Sequence, residues 1–341
     1  MPAPPRYINR EGVGAYPVAN WPLKEYLSAL EPTEFILPKE VEESFPVYIL
    51  CGPTGVGKSQ LAAQIADRYK GEVVSADSRQ VYAGMDIGTA KLPAAERRVR
   101  HHLLDVVQPD QFFSAQAYSQ KAGQVLNELK KKRIKPFVVG GTGLYLKSLT
   151  EGLFLGTGRL APLRAVLGGK TTPKLYSELA QSDPEKAARL SPNDRQRIER
   201  ALEVFYVHEK PMSAIEKMRR APSGFRFLWA GLTQDRKELY RRIEERTDRQ
   251  LATGWVEEVK KLKQEGFGPD WPAYKTIGYQ EVYRYLAGEL PYDEMVQLIK
   301  QKTRNYAKHQ FTWFRHQAPV EWFDASDSEA AKKIEKYWEL N

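Results

Sequence analysis

Cysteine is almost absent. Cys51 is the single one in 341 residues, which excludes a disulfide framework and any zinc site built from several thiolates. Long apolar runs are also missing. The strongest, around Val47–Cys51, has strand length, far short of the ~18 residues of a membrane helix, so no membrane association is expected. The opening MPAPPRYINREGVGAY has no apolar core behind its charges and does not read as a secretory signal. The expected compartment is the cytoplasm. An acidic excess is lacking as well: 52 Lys and Arg against 43 Asp and Glu leave a net charge of +9, which favours polyanionic partners, nucleic acid ahead of a membrane surface. The rest of the composition, 42% hydrophobic and 28% charged, is that of a globular protein and rules out a disordered or fibrous chain. At roughly 150 residues per domain the length suggests about two domains.

Residues 1–45 carry Pro2, Pro4, Pro5, Pro17, Pro22, Pro32 and Pro38 and no sustained periodicity. They read as an N-terminal extension of unknown role, in which Leu23, Tyr26, Leu27 and Leu30 have the spacing of one short helix. Order is expected from Pro46. Val47–Cys51, Glu72–Ala76, Pro136–Gly140 and Phe227–Leu232 read as strands, with helices over about 57–69 and 115–132. Strands alternating with helices predict a parallel α/β sheet covered on both faces. In such sheets ligands bind beyond the carboxyl ends of the strands, which would put Gly52–Ser59, Asp77–Gln80 and Gly141–Thr142 along one rim. Between about Leu155 and Phe225 the strand signal vanishes, predicting a helical insertion, and from Lys237 onward the pattern is helical again.

Gly52-Pro53-Thr54-Gly55-Val56-Gly57-Lys58-Ser59 fits G-x-x-x-x-G-K-[ST] at every position, between a predicted strand and a predicted helix. The glycines let backbone N–H groups curl around an anion, and the helix N-terminus adds partial positive charge. Lys58 would neutralise phosphate oxygens and the Ser59 hydroxyl would ligate Mg²⁺. The motif predicts diphosphate or triphosphate binding, ATP included, without choosing the ligand.

The neighbouring motifs do choose. Ser75-Ala76-Asp77-Ser78-Arg79-Gln80-Val81-Tyr82-Ala83-Gly84-Met85-Asp86-Ile87-Gly88-Thr89-Ala90-Lys91 follows the second strand, with His101-His102-Leu103-Leu104-Asp105 and Val138-Val139-Gly140-Gly141-Thr142-Gly143-Leu144-Tyr145 further on. Together with Ile277–Glu281 and Thr303–Phe314, these resemble the tRNA dimethylallyltransferase family, in matching order over about residues 46–323. The resemblance implies transfer of a dimethylallyl group from dimethylallyl diphosphate to the exocyclic amine of the adenosine 3′ to the tRNA anticodon. It also implies a P-loop NTPase-like parallel sheet flanked by helices, over 46–154 and 226–323. Residues 155–225 would be an inserted helical tRNA-binding domain, the C-terminal part would be helical, and 324–341 is left as a tail.

Roles follow by resemblance. Asp77 would be the general base, with helix capping or Mg²⁺ ligation as the other readings of an aspartate there. Thr142 would hydrogen-bond the reacting group or the RNA, unless it is a plain turn threonine. Arg242 would grip the diphosphate, since its planar fork suits two phosphate oxygens. Arg241 and Arg246 read as helix-surface charges, although a one-turn shift would exchange the roles. Asp77, Ser78, Arg79, Gln80 and Thr142 would meet the adenosine, which must leave its stack to reach an enclosed diphosphate. Arg164, the stretch Gln196, Arg197, Ile198, Glu199 and Arg200, and the stretch Lys275, Thr276, Ile277, Gly278, Tyr279 and Gln280 resemble the family's tRNA contacts. From Met295 to His316 there are five Lys or Arg, two His and no acid, interleaved with Tyr306, Phe311, Trp313 and Phe314. That pattern suits base stacking and phosphate contact, and equally a packed amphipathic helix. Cys51 reads as a buried small residue. Mg²⁺ is the expected cofactor, tRNA and dimethylallyl diphosphate the expected partners, and a monomer the expected state. The competing readings are an isopentenyltransferase acting on free adenine nucleotides, a small-molecule P-loop kinase, and a non-enzymatic RNA-binding NTPase switch.

Overall fold

A computed structural model of the chain describes residues 44–152, 161–217, 222 and 224–340. The N-terminal extension, with its expected short helix, lies outside the described residues. In chain order the elements are β1 (Phe45–Cys51), α1 (Lys58–Arg68), β2 (Glu72–Ser75), β3 (His101–His102), α2 (Ala115–Lys132), β4 (Pro136–Gly140) and α3 (Gly143–Glu151). The helices α4 (Ala161–Gly168), α5 (Thr172–Ser182), α6 (Pro184–Ala188), α7 (Arg195–His208) and α8 (Met212–Lys217) follow. The chain returns through β5 (Phe225–Thr233), α9 (Arg236–Ala252), α10 (Trp255–Gln264), α11 (Tyr279–Leu286), α12 (Tyr292–Gln317), β6 (Glu321–Asp324) and α13 (Ala330–Tyr337).

The six strands form one sheet in the order β3-β2-β4-β1-β5-β6, every pair parallel. The sequence reading has four strands. The two it lacks, β3 and β6, are the sheet edges, two and four residues long, too short to carry a period. The central strand β1 is buried on both faces, as a parallel sheet covered by helices requires. Val47, Ile49 and Cys51 enter one apolar cluster, and Tyr48 and Leu50 the other. Burial of such a side chain stabilises by roughly 1.5–3 kcal/mol, so one strand seeds both cores.

Gly52 terminates β1 at φ +140°, and a Cβ there would stand 2.5 Å from the Leu232 carbonyl oxygen on β5. Only glycine lets the chain turn out of the sheet at that point. Residues 324–340, read from the sequence as a tail, are structured. Ile334, Trp338 and Leu340 are buried, and the Trp338 ring lies 5.5 Å from Tyr48 and 5.9 Å from Phe137 between centroids.

The described residues divide into two compact units, one comprising 161–217 and the other 44–152 with 224–340. The first is wholly helical around a core of its own, made by Leu167, Leu175, Leu179, Ala187, Ile198, Ala201 and Leu202. Asp183 and Asp194 cap helices within it, accepting from the Lys186 and Arg197 amides at 3.0 and 3.2 Å. No helix among the described residues is long and apolar enough to cross a membrane.

Candidate active site

Strand order decides which loops meet. β4 lies between β1 and β2, with Cys51 level with Gly140 and Ser75 level with Val139. The segments leaving these three strands, carrying the glycine-rich loop, Asp77 and Thr142, therefore emerge side by side. A cavity of about 890 Å³ opens there. Thr54, Gly55, Gly57, Lys58 and Ser59 line it from the loop, and Asp77, Arg79 and Gln80 from the segment after β2. Lys58, Arg79, Arg98, Arg242, Arg246, Arg249 and Lys275 face two carboxylates, Asp77 and Glu96. That excess of cations makes it an anion site.

The loop is held as the motif demands. Gly57 at φ 101° starts α1, and Lys58 curls back so that its Nζ donates to the Pro53 carbonyl at 2.7 Å. Burial pulls the Lys58 ammonium down to about 8, with the Asp77 carboxylate opposing the shift. The Ser59 hydroxyl lines the cavity. Val56 turns its side chain into the apolar core, so it can offer a ligand only backbone. Burial pushes the Cys51 thiol beneath the loop up to about 12, which leaves it an inert packing residue.

Asp77 Oδ1 accepts the backbone N–H groups of Arg79 at 2.8 Å and Gln80 at 3.3 Å. One oxygen thus closes the turn after β2, and the carboxylate still lines the cavity. Gln80 is largely committed to the protein, meeting Ser75 Oγ at 3.3 Å and donating to the Thr89 carbonyl at 3.1 Å. Thr142 is not part of the cavity wall, although Gly140 and Gly141 just before it are. Its Oγ1 accepts the Ser78 N–H at 2.9 Å and lies 3.3 Å from Ser78 Oγ, so it ties the ends of β4 and β2 together.

The arginines on α9 divide by face. Arg241 is solvated between Glu238 and Glu245, as its reading as a surface charge expects. Arg242 and Arg246 both line the cavity, which corrects the reading of Arg246 as a surface charge: one helical turn returns it to the face of Arg242. Arg242 Nη1 donates to Gln234 Oε1 at 3.1 Å, and Arg246 Nη2 to Thr54 Oγ1 at 3.0 Å. Arg246 Nε is buried with no hydrogen-bond partner. Burial lowers the Arg246 guanidinium to about 10, Asp77 opposing and Arg249 and Arg242 adding to the shift. An entering anion would relieve both conditions.

Several residues with expected RNA contacts are placed otherwise. Ile198 is fully buried in the helical core and offers RNA no side chain. Tyr279 is also fully buried, donating to Glu258 Oε1 at 2.5 Å. The Glu258 carboxylate also takes the amides of Asp86 and Ile87, each at 2.8 Å, so Tyr279 shapes the loop after Met85. Arg164 and Arg200 both pair with Glu203, whose side chain is 1% exposed. The bond to Glu203 raises the Arg164 guanidinium. Glu199 pairs with Arg195 at 2.7 Å. Gln196 and Arg197 are exposed. In the other unit, Lys275, Thr276 and Ile277 line the cavity, and the buried Thr276 Oγ1 has no hydrogen-bond partner. The Gly278 amide donates to Glu281 Oε2 at 2.6 Å.

On α12, Tyr306 and Gln310 enter the site. Sequence reasoning missed Gln310, although a signal was available. It occupies the buried stripe of Met295, Ile299, Thr303, Ala307 and Phe314, where a polar side chain must find partners.

Residues 80–317 match the family model described as IPP transferase. The tRNA dimethylallyltransferase of Geobacter sulfurreducens is 47% identical over 282 residues, which cover 81% of this chain and 91% of that protein. That of Thermomicrobium roseum is 45% identical over 287 residues, 82% of this chain and 87% of the relative. The crystal structure of the full-length tRNA isopentenylpyrophosphate transferase from Bacillus halodurans is 36% identical with a TM-score of 0.65, covering 87% of this chain and 95% of that one. A eukaryotic dimethylallyltransferase acting on tRNA superposes at a TM-score of 0.76 with 28% identity, over 86% of this chain and 78% of the other. With a phosphate loop, a neighbouring aspartate and paired arginines around one cationic cavity, and with these relatives, the chain belongs to the IPP transferase family.

Proposed function

We propose that this protein transfers the dimethylallyl group of dimethylallyl diphosphate to the exocyclic amine of the adenosine 3′-adjacent to the anticodon in tRNA. The observation that carries the reading is the carboxylate of Asp77 in the wall of a cavity otherwise dominated by Lys58, Arg242 and Arg246. The amine nitrogen forms a bond to the allylic carbon as the carbon–oxygen bond to diphosphate breaks, and the amine proton passes to Asp77. The leaving diphosphate gains charge, which the loop amides, Lys58 and the two arginines neutralise. Thr142 and Ser78, bonded to each other, hold the segment that carries Asp77 against the end of β4. An adenosine stacked in its loop could not enter, so the nucleotide is flipped into the cavity, with Arg79, Lys275 and the free Thr276 hydroxyl at its walls. The exposed Gln196 and Arg197 supply contacts to the rest of the tRNA.

Magnesium fits this donor set. Among the described residues no cluster of His, Cys, Asp or Glu could hold a metal unaided, whereas the Ser59 hydroxyl at a phosphate loop suits Mg²⁺ carried by the diphosphate. Bound there, it would add to the charge neutralisation of the leaving group. A tRNA substrate supports a cytoplasmic setting.

The test is incubation with labelled dimethylallyl diphosphate, Mg²⁺ and either bulk tRNA or AMP. Label in tRNA is expected. Label in AMP alone would replace this reading with transfer to free nucleotides, and no prenylated product in either would overturn it.

A further inference from the structure

We infer that Gln310 and Tyr306, one turn apart on α12, are positioning residues that fix the diphosphate cradle relative to Thr142, on the reading of function given above. Gln310 is 6% exposed and uses both ends of its amide. Its Oε1 accepts the Thr54 backbone N–H at 2.8 Å, and its Nε2 donates to the Gly141 carbonyl at 2.8 Å. One side chain therefore bridges the phosphate loop and the end of β4, next to Thr142. The joint is tight: Gly141 could not carry a Cβ without overlapping Gln310 Nε2.

Tyr306 extends the bridge. Its buried hydroxyl lies beside the side chains of Thr142 and Gln310, and Thr142 is bonded in turn to Ser78, the neighbour of Asp77. A row of neighbouring side chains thus leads from the segment carrying the proposed base, through Thr142, Tyr306 and Gln310, to Thr54. Arg246 holds the Thr54 hydroxyl from the other side at 3.0 Å. The Thr54 amide, which a phosphate loop could offer to its anion, is already committed to Gln310. The helix therefore sets where the cradle sits, and the acceptor side is referenced to the same helix.

An arrangement of this kind acts on geometry in the transition state, where small displacements between donor and acceptor are costly. Gln310→Met keeps length and volume but neither donates nor accepts at the amide positions. With both substrates saturating, its kcat should fall by about 10- to 100-fold, the size of a displacement near 1 Å, while KM for tRNA stays within about twofold. Tyr306→Phe should lower kcat by roughly 3- to 10-fold, the worth of one hydrogen bond. Because Tyr306 is held to act through the Thr142 hydroxyl, its effect should shrink below about twofold in a Thr142→Val background. A merely structural tyrosine would cost the same in both backgrounds and would lower Tm in step. Equal effects in the two backgrounds, or losses confined to KM, would overturn the inference. If Gln310→Met fails to fold, the Tyr306 cycle decides alone. Loss of all transfer by the wild-type protein would remove the functional reading and this inference with it, whereas an active wild type with unaffected variants would remove only the inference.

Discussion

Asp77 closes a turn and lines the cavity with the same carboxylate. Asparagine can keep Oδ1 on both amides, so the turn should survive Asp77→Asn, and ground-state binding of both substrates with it. It cannot take a proton at neutral pH, and kcat should fall by roughly 10²–10⁴. Single-turnover transfer with both substrates saturating, beside a melting curve and a Mg²⁺ titration, separates the roles. A metal role would weaken diphosphate binding and respond to added Mg²⁺, a capping role would lower Tm with activity kept, and near-normal rates would end the assignment. Lys58 gives a pH prediction. Burial has lowered it to about 8, and the anion binds its protonated form. Dimethylallyl diphosphate affinity should therefore be flat below about pH 8 and weaken above it by up to about tenfold per pH unit. The sign for stability is opposite. Between about 8 and the unfolded value of 10.5 the unfolded chain binds more protons, so this group makes the apoprotein more stable as pH rises. Calorimetric titration of the diphosphate across pH 7–9.5 checks the binding limb, and a pH-independent affinity would refute it.

At the level of the element, α7 shows how neighbouring residues of one motif separate into different tasks. Arg197 points outward, its side chain 74% exposed beside Asp194, whereas Arg200 and the α4 residue Arg164 neutralise the buried Glu203. Arg164→Ala should destabilise the helical unit by about 1–3 kcal/mol, the cost of leaving a buried charge partly unpaired. Arg197→Ala should leave stability unchanged, weaken tRNA binding, and reduce the salt slope by about 1. Denaturant melts and tRNA titrations at two or more salt concentrations measure both. A large stability loss in Arg197→Ala, or a salt-slope change in a still-folded Arg164→Ala, would reverse the assignment. The 3.6-residue period makes α5–α7 legible as helices, but it does not tell which side of α7 faces the core. The resemblance that groups Ile198 with RNA contacts works on the whole stretch and does not separate this fully buried side chain from its exposed neighbours.

Across the whole molecule, the diphosphate and the bulk of the tRNA are proposed to be met by different groups, the first by the loop and α9, the second by exposed basic side chains such as Arg197. Lys58→Ala should then lose turnover by orders of magnitude and weaken the allylic diphosphate, with tRNA affinity nearly unchanged. Filter binding of tRNA beside calorimetry of the diphosphate checks this. An equal collapse of both in a folded variant would show that the two functions share their contacts.

By itself the sequence determined whatever is local in the chain. The glycine-rich loop between a strand and a helix, the apolar runs of β1 and β4 and the helical period after Lys237 are each written within a few consecutive residues, because backbone geometry and burial impose their pattern at that range. It also placed Asp77 and Thr142 at strand ends, since a strand followed by polar turn residues locates its own rim. Tertiary structure decided what depends on neighbours distant in the chain. Residues 324–340 pack as strand and helix because a sheet edge and the rings of Tyr48 and Phe137 await them. Arg246 joins the cavity because Thr54, 192 positions away, accepts its guanidinium. Gln310 becomes a bridge because Thr54 and Gly141 stand on either side of it. A buried polar group is defined by its partners, and those partners become neighbours only when the sheet order brings their loops together.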